Sequence, residues 1–386
     1  MDLHSTPIPV DDLSGISTPC HIIDLDRLQD NLSKVEQLKA ESGCNVLLAA
    51  KGFSSPYFFS FMRGAVDGIS ASGLYEARIG RECYGEYVQT YSPGFRDNVI
   101  EQILACSNAI VFNSKTQLNA YLSLARLKGC SCGIRINPMF SRIKKKDVNP
   151  CGAYSRLGIP YTEVTDTLLD QIDGILIHSM CEQQADALEE LIDFIIHTMG
   201  KAIDGTRNLK WINLGGGQLI GNKHYDVHRA AQAIQKLKNR FGLQILIEPC
   251  EGIFTETGYL ATSVCDIVYN RKWTAVMDSS PVCHLPDAVF RGWRHDICGE
   301  LPQGENGYNY YISGPTCFSG DTYGEYTFQD RLHVGDILFL KDTAAYSMVK
   351  SNSFNGVPFP DIYTFSRAGG LNFVKRYSYD SYLQNL

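Results

Sequence analysis

The sequence predicts an α/β protein: a TIM (β/α)8 barrel followed by a β-rich domain of the barrel or sandwich kind. Three observations predict this fold class. Eight short apolar runs alternate with helical patterns, polar residues or glycines follow these runs, and helical periodicity fades after Cys250. A chain of 386 residues is long enough to bury a core in each of two domains.

The eight predicted barrel strands are short apolar runs bounded by turn residues. They lie at residues 45–51, 66–70, 87–91, 109–113, 133–137, 174–178, 211–215 and 245–249. Helices are predicted where apolar residues recur at spacings of three and four, at residues 26–42, 74–85, 96–107, 115–129, 185–200 and 227–242. Regular alternation of strand and helix favours parallel strands that close into a barrel.

The second domain is predicted because the helical periodicity of the sequence fades after Cys250. Apolar runs at 272–278, 308–314 and 336–342 alternate there with Gly, Pro and Asn turns. We therefore expect the barrel to span residues 26–262 and the β domain to span 263–386. Residues 1–25 contain the strand-like run HIIDL and are expected to join the β domain.

Composition restricts the partners and the compartment. A formal charge of −7 argues against nucleic acid and is compatible with a cationic small molecule. The chain has neither an apolar run of membrane-spanning length nor a secretory signal pattern, so no membrane partner and a cytoplasmic location are expected. The thirteen cysteines are odd in number and form no CxxC pair, which favours free thiols over disulfides or a metal site.

The residues that end the strands define the candidate site, because a TIM barrel carries its chemistry at the carboxyl ends of its strands. Each of them also has a simpler structural interpretation: a lysine that reaches solvent, a histidine of the core, or a carboxylate in an ion pair. The set comprises Lys51, Ser70–Ser72, Ser92, Asn113, Arg135, Asn137, His178, Gly215–Gly217 and Glu248.

Three consecutive glycines, Gly215, Gly216 and Gly217, follow the seventh strand. Glycines let the backbone approach an anion closely, and the usual phosphate site of a barrel follows strands seven and eight. We expect a phosphate there. The segment LGGGQLIG lacks the G-x-G-x-x-G spacing of a dinucleotide-binding loop.

A phosphate site, a lysine, a histidine and a carboxylate at one barrel mouth match the needs of pyridoxal 5'-phosphate. Lys51 would bond to its aldehyde, Glu248 would keep its pyridine nitrogen protonated, and His178 would cover one face of the ring. A metal-dependent barrel hydrolase would need clustered histidines and carboxylates, and His178 is the one histidine that ends a predicted strand.

Six motifs resemble the fold type III pyridoxal-phosphate decarboxylases, the alanine-racemase-like family that includes ornithine, diaminopimelate and carboxynorspermidine decarboxylases. In chain order they are AAKG with Lys51, HSMCE with His178, LGGG, EPCEG with Glu248, GPTCFSGD with Cys317, and AAYSMVKSNSFNG with Tyr346. They span nearly the whole chain in the order of the family. Non-catalytic barrel proteins of the same superfamily lack the β domain and the GPTC motif.

The resemblance implies roles for these residues. It assigns catalysis to Lys51 and Cys317, with Cys317 returning the proton, and cofactor binding to Lys51, His178, Gly215–Gly217, Glu248 and Tyr346. In the family, the cysteine of GPTC crosses from a second subunit, so a homodimer with shared active sites is implied. An amino-acid racemase would pair a base with the pyridine nitrogen, which Glu248 disfavours.

Within the family, the sequence is most similar to the carboxynorspermidine decarboxylases, on EPCE, MDSSPVCHLPD and the ending RAGGLNFVKRYSYDSYL. Family members that act on ornithine or diaminopimelate usually carry EPGR. Glu251 stands at the position of that arginine, so an acidic side chain replaces a basic one. The expected substrates are carboxynorspermidine and carboxyspermidine, with decarboxylation of diaminopimelate, ornithine or arginine as the alternative. The acids expected to hold the cationic chain are Glu251, Asp278, Asp287 and Asp321.

Overall fold

The computed structural model describes residues 7–9, 13, 15–146, 148–384 and 386. The chain separates into two compact units: Asp30–Ile253, and Phe254–Leu386 with the described residues of Met1–Gln29. One unit contains a closed barrel of parallel strands and the other a sheet, so the predicted fold class is confirmed. The boundaries at 26–262 and 263–386 stay a prediction, and part of segment 1–25 lies outside the described residues.

The barrel closes because its last strand pairs with its first. In chain order the strands of the first two thirds are β1 (Cys20–Asp24), β2 (Asn45–Ala49), β3 (Gly68–Ala71), β4 (Tyr87–Tyr91), β5 (Ala109–Phe112), β6 (Ser131–Asn137), β7 (Ile159–Pro160), β8 (Gly174–Leu176), β9 (Trp211–Asn213) and β10 (Gln244–Ile247). The parallel barrel runs β2-β3-β4-β5-β6-β8-β9-β10, and β10 pairs with β2. All eight predicted strands are present, and the two-residue β7, which the sequence did not predict, pairs with β6.

Several strands end earlier than predicted, although their hydrogen-bond ladders extend further. The Ala50 N–H donates to Ser70 O at 2.9 Å, and the Ile177 N–H donates to Asn213 O at 2.8 Å. The Glu248 N–H likewise donates to Gly215 O at 2.8 Å. The backbone therefore stays ordered at the carboxyl ends of the strands, where the candidate site lies.

One aromatic side chain explains two glycines in the strands. A Cβ atom on Gly174 would lie 2.0 Å from the Trp211 ring, and one on Gly133 would lie 2.3 Å from it. Trp211 is buried with Leu47, Val111, Leu176 and Leu246. The indole thus takes the space that side chains at positions 133 and 174 would need.

Among the described residues, helices occur at all six positions where apolar spacing predicts them, and seven further short helices were not predicted. In chain order the helices are α1 (Leu25–Ser42), α2 (Phe59–Met62), α3 (Leu74–Ile79), α4 (Asp97–Cys106), α5 (Lys115–Leu127), α6 (Asp166–Leu169), α7 (Ala185–Phe194), α8 (Gly200–Asp204), α9 (Val227–Phe241), α10 (Glu251–Phe254), α11 (Pro281–His284), α12 (Pro286–Arg291) and α13 (Tyr379–Leu383). Two predicted helices contain π-helical turns, Gly80–Tyr84 and Ile195–Met199. Short 3-10 turns occur at Pro56–Phe58, Tyr161–Glu163, Met348–Lys350 and Phe354–Gly356.

The second unit is built on an eight-stranded sheet. Its further strands are β11 (Gly258–Tyr269), β12 (Trp273–Met277), β13 (Tyr308–Ser313), β14 (Thr322–Phe328), β15 (Ile337–Lys341), β16 (Asp361–Ser366) and β17 (Gly370–Lys375). The order is β14-β13-β12-β11-β1-β16-β17, with β15 also paired to β11. β1 lies between β11 and β16, so an amino-terminal strand is part of this sheet. Among the described residues, no helix is both long and apolar enough to traverse a bilayer.

Candidate active site

Lys51 lies two residues beyond β2 at the mouth of the barrel, and its side chain is exposed. The Gly52 N–H donates to Ala49 O at 3.0 Å, which closes a turn around the lysine. Burial raises the pKa of the nearby Glu76 carboxyl group, and the positive charge of Lys51 opposes that rise. The ammonium group of Lys51 is thus accessible on a backbone that the strand holds in place.

The carboxyl group of Glu248 follows β10 and is held by the last residue of β9. The Nδ2 atom of Asn213 donates to Glu248 Oε1 at 2.7 Å. Burial raises the pKa of Glu248, while Asn213, Lys51, Ser70 and Arg135 oppose that rise. The competition between burial and these neighbours makes Glu248 a carboxyl group that can share a proton with a basic ligand atom.

His178 lies two residues beyond β8. Burial, followed by the positive charges of Lys51 and Arg135, holds its pKa well below the usual value, so the ring is neutral at physiological pH. Its Nδ1 atom is buried without a hydrogen-bond partner. A flat, neutral ring with an unsatisfied nitrogen is suited to lie against a polar aromatic ligand.

Arg135 is a buried cation inside β6, and the sequence predicts no role for it beyond its position at a strand end. Its guanidinium carbon lies 4.7 Å from the centroid of the Tyr91 ring. Its Nη2 atom is buried without a hydrogen-bond partner. Buried polar groups are nearly always satisfied, so these orphaned atoms of His178 and Arg135 indicate that a polar ligand belongs in the barrel mouth.

The glycine turn after β9 accepts no larger residue. Gly215 and Gly217 have φ values of 67° and 96°. A Cβ on Gly216 would lie 2.4 Å from Glu248 O, and one on Gly217 would lie 2.5 Å from Met180 O. The Gly215 N–H donates to Asn213 Oδ1 at 2.8 Å, so this amide is engaged within the protein and its contribution is to the shape of the turn.

Cys250 and Glu251 continue from Glu248 into the short helix α10. Cys250 is 3% exposed and does not have the positive φ that would require glycine. Burial raises the pKa of its thiol, with further effects of Glu251, Lys51 and Glu76, so the two carboxyl groups and the lysine all act on this thiol. Glu76 is an acid of the barrel mouth that the sequence did not single out.

Asp321 organises a loop of the sheet unit. Its carboxyl oxygens accept hydrogen bonds from Ser280 Oγ at 2.7 Å and from the Val282 N–H at 3.2 Å. They also accept bonds from Thr316 Oγ1 at 2.8 Å and from the Thr316 N–H at 3.1 Å. A Cβ on Gly314 would lie 2.2 Å from Asp321 Oδ2, so the glycine of the GPTC motif is needed for close packing.

Cys317 stands exposed on this loop, where its Sγ donates to Asn355 Oδ1 at 3.1 Å. Asn355 has a φ of 58°, a conformation that asparagine tolerates better than most residues. Tyr346, the tyrosine predicted to bind the cofactor, also has a positive φ, 57°. Lys350 Nζ lies 5.1 Å from the centre of its ring.

Besides Asp321, two further acids predicted to hold substrate have partners inside the sheet unit. Asp278 accepts hydrogen bonds from the Thr262 hydroxyl at 2.7 Å and from the Ser263 N–H at 2.9 Å. Asp287 pairs with Lys350 at 2.6 Å and with Arg291 at 3.3 Å. Their contact with substrate stays a prediction, and so does that of Asp321.

The predicted site residues therefore fall into two groups. The barrel unit brings together Lys51, His178, Gly215–Gly217, Glu248 and Glu251, whereas the sheet unit carries Asp278, Asp287, Cys317, Asp321 and Tyr346. Besides Glu76, the sequence did not single out Asn213 or Gln89, whose side-chain oxygen accepts a hydrogen bond from Asn213 Nδ2. A signal existed for Asn213, because an amide inside the apolar strand WIN is unusual and needs buried hydrogen-bond partners.

Comparison with known proteins identifies relatives over almost the full chain. Residues 20–344 match a family described as "Pyridoxal-dependent decarboxylase, C-terminal sheet domain". A carboxynorspermidine/carboxyspermidine decarboxylase of Campylobacter jejuni is 34% identical, over 95% of this chain and 98% of that protein. A carboxyaminopropylagmatine decarboxylase of a Synechocystis species is 33% identical, over 97% of this chain and 96% of that protein.

Solved structures of decarboxylases are also similar to this chain over almost its full length. The crystal structure of the C. jejuni carboxynorspermidine decarboxylase complexed with norspermidine has a TM-score of 0.87 and 32% identity, covering 96% of this chain and all of that one. A diaminopimelate decarboxylase of Helicobacter pylori with bound L-lysine has a TM-score of 0.82 at 18% identity, covering 97% of this chain and 98% of that one. At that lower identity, the second structure supports the fold alone.

Proposed function

We propose, from the premise that this chain belongs to the pyridoxal-dependent decarboxylases, that it removes carbon dioxide from carboxynorspermidine and carboxyspermidine. The products are norspermidine and spermidine, so the enzyme serves polyamine biosynthesis. The observation that carries this proposal is the near-full-length similarity to a decarboxylase solved with norspermidine.

The family's cofactor is pyridoxal 5'-phosphate, and the residues of the barrel mouth fit it. The glycine turn packs closely against Glu248 and Met180, while the orphaned atoms of His178 and Arg135 lie beside an exposed lysine and a buried carboxyl group. When bound, the cofactor supplies an electron-withdrawing ring that takes up the electron pair released as carbon dioxide departs.

Five side chains of the protein have proposed roles in cofactor binding and proton transfer. Lys51 would provide the amine that holds the cofactor through its aldehyde group. Glu248 would hold a proton at the ring nitrogen, and the neutral ring of His178 would cover one ring face without adding charge. Cys317 is the proposed source of the proton that returns to the substrate carbon, with Tyr346 as a further cofactor contact.

Glu251 is the proposed contact for an ammonium group of the substrate, because it stands where family members with EPGR carry a base and, like Lys51, acts electrostatically on the Cys250 thiol. A charge-assisted contact is worth about 1.5–3 kcal/mol, or roughly one to two decades of affinity. We expect Glu251→Gln to raise KM for carboxynorspermidine by about tenfold or more while the absorbance of the lysine-bound cofactor persists. Loss of that absorbance, with KM unchanged in the remaining holoenzyme, would assign Glu251 to the cofactor instead.

A second substrate candidate is carboxyaminopropylagmatine, because a relative with that activity is about as similar to this chain as the C. jejuni enzyme. Its product ends in a guanidinium group rather than an ammonium group. A planar guanidinium binds carboxylates through two parallel hydrogen bonds, so the geometry of the acids decides between the two.

Release of carbon dioxide tests the substrate directly. Purified holoenzyme is assayed with carboxynorspermidine, carboxyspermidine, carboxyaminopropylagmatine, diaminopimelate, ornithine and arginine at equal concentrations. We expect the highest kcat/KM for the first two. A higher value for any of the other four would replace the proposed substrate while leaving the family assignment intact.

A homodimer with shared active sites is the proposed assembly, on the basis of the GPTC motif and the exposed position of Cys317 on its loop. Mixing Lys51→Ala and Cys317→Ala proteins tests it, because a mixed dimer would contain one site with both residues intact. We expect about a quarter of the wild-type activity after random exchange, since half of the dimers are mixed and each has one complete site. No recovery, despite subunit exchange shown by mass spectrometry of differently tagged chains, would contradict sharing.

The cytosol is the proposed location. The thirteen cysteines, all within the described part of the chain, form no disulfides, as suits a reducing compartment. Cell fractionation with an antibody against the native chain would test this location, and recovery outside the cytosolic fraction would contradict it.

A further inference from the structure

Asn213 lies outside the motifs that resemble the decarboxylase family, at the centre of a hydrogen-bond network at the barrel mouth. It is fully buried at the end of β9. Its Oδ1 accepts the Gly215 N–H at 2.8 Å, and its Nδ2 donates to Glu248 Oε1 at 2.7 Å. The same Nδ2 donates to the Oε1 atom of the buried Gln89 on β4.

These bonds fix the orientation of the amide. A backbone N–H can only donate, so the atom facing Gly215 must be the carbonyl oxygen of Asn213. The two hydrogens of its NH₂ group then point to Glu248 and Gln89, and both donors are used. One side chain therefore links the glycine turn, the carboxyl group of Glu248 and β4, a strand that is not adjacent to β9 in the barrel order.

We propose that Asn213 is a positioning residue that holds the Glu248 carboxyl group and the glycine turn in one arrangement, so that the carboxyl group meets the cofactor's ring nitrogen. This inference rests on the proposed role of Glu248 but not on the identity of the substrate. Aspartate would not replace Asn213, because a carboxylate donates no hydrogen bond and would place a second negative charge against Glu248.

The bond from Asn213 also affects the charge of Glu248. Burial raises the pKa of this carboxyl group, and the hydrogen bond from Asn213 is the strongest of the interactions that lower it. Other ionisable or polar groups that act on Glu248 or are affected by it are Lys51, Ser70, Arg135, Tyr87 and Tyr91. Because they remain in an Asn213 variant, the variant isolates the contribution of the amide.

The direction of the pH effect follows from these causes. The carboxylate form of Glu248 is present above its pKa in the folded protein and is lost as pH falls through that value. Without the amide donor, the carboxylate loses a favourable bond, so this pKa rises further. The acid limit of cofactor loading should therefore move to higher pH.

The test is pH-dependent binding of pyridoxal 5'-phosphate to apoenzyme, followed by the absorbance of the bound cofactor. For Asn213→Ala we expect the acid midpoint of binding to rise by about one pH unit, since a bond to a charged group is worth at least about 1.4 kcal/mol. Asn213→Asp, which keeps the side-chain shape, should raise the midpoint at least as far. It also serves in place of Asn213→Ala if the alanine variant does not fold.

Thr90→Val is the matched control. It removes another buried hydrogen bond of the barrel, that between the Thr90 and Ser107 hydroxyls at 2.7 Å, on the strand that also carries Gln89. We expect a loss of stability in this variant without a shift of the acid midpoint. An unshifted midpoint in the folded Asn213 variants, or an equal shift in Thr90→Val, would overturn the proposal, whatever substrate the enzyme decarboxylates.

Discussion

Replacing Lys51 by alanine is expected to abolish decarboxylation and the absorbance of the lysine-bound cofactor together. The side chain is exposed on an ordered turn at the barrel mouth, so alanine removes the amine without creating a cavity. The fold should persist with unchanged circular dichroism. We expect kcat to fall by about three orders of magnitude or more, the scale of losses on removing a group that forms a covalent intermediate.

Two further variants distinguish the loss of the Lys51 amine as a nucleophile from the loss of a positive charge. Lys51→Arg keeps the positive charge beside Glu76 and His178 but lacks a nucleophilic amine at neutral pH, so it should be as inactive as the alanine variant. Lys115→Ala removes a half-exposed barrel lysine that pairs with Glu163 at 3.0 Å, and it should retain the cofactor band. Borohydride reduction and peptide mapping that place the cofactor on a lysine other than Lys51 would refute the assignment.

Replacing Asp321 by alanine is expected to have the largest effect on stability. The carboxyl group is 3% exposed and accepts four hydrogen bonds from Ser280, Val282 and Thr316. Each buried donor left without an acceptor costs about 1–3 kcal/mol. We therefore expect the free energy of unfolding of the sheet unit to fall by about 3 kcal/mol or more, measured by urea denaturation.

The conservative variant distinguishes this structural role from the predicted contact with substrate. Asp321→Asn keeps one acceptor oxygen and the side-chain shape, so it should unfold at an intermediate urea concentration. If Asp321 also binds an ammonium group, Asp321→Asn should raise KM by about tenfold in folded protein. Asp330→Ala removes an exposed acid of the same unit and should change neither quantity.

How far the sequence predicts the fold is clearest in the barrel. Buried parallel strands are nearly continuous apolar runs, so all eight were located, and α9 was visible from its apolar spacing. The sequence did not predict β7, because two residues carry no periodic signal, or the π-helical turns, because their side-chain pattern continues that of the preceding helix.

The sequence by itself determined the parts of this protein that local chemistry dictates. Local sequence patterns indicate the succession of strands and the triple glycine. Together with the motifs around Lys51, Glu248 and Cys317, they indicate the cofactor and the family. Their near-full-length similarity to known decarboxylases confirms both.

Tertiary structure decided which polar groups satisfy one another. In the sequence, Asp321 resembles the other acidic residues of loops. In the folded protein, it is buried and accepts four hydrogen bonds. In the sequence, Asn213 is a polar residue in an otherwise apolar strand. In the folded protein, its amide bonds to Gly215, which precedes α9, and to Glu248, which follows it. The physical reason is that a buried hydrogen bond depends on partners distant in the chain, whose positions no local pattern encodes.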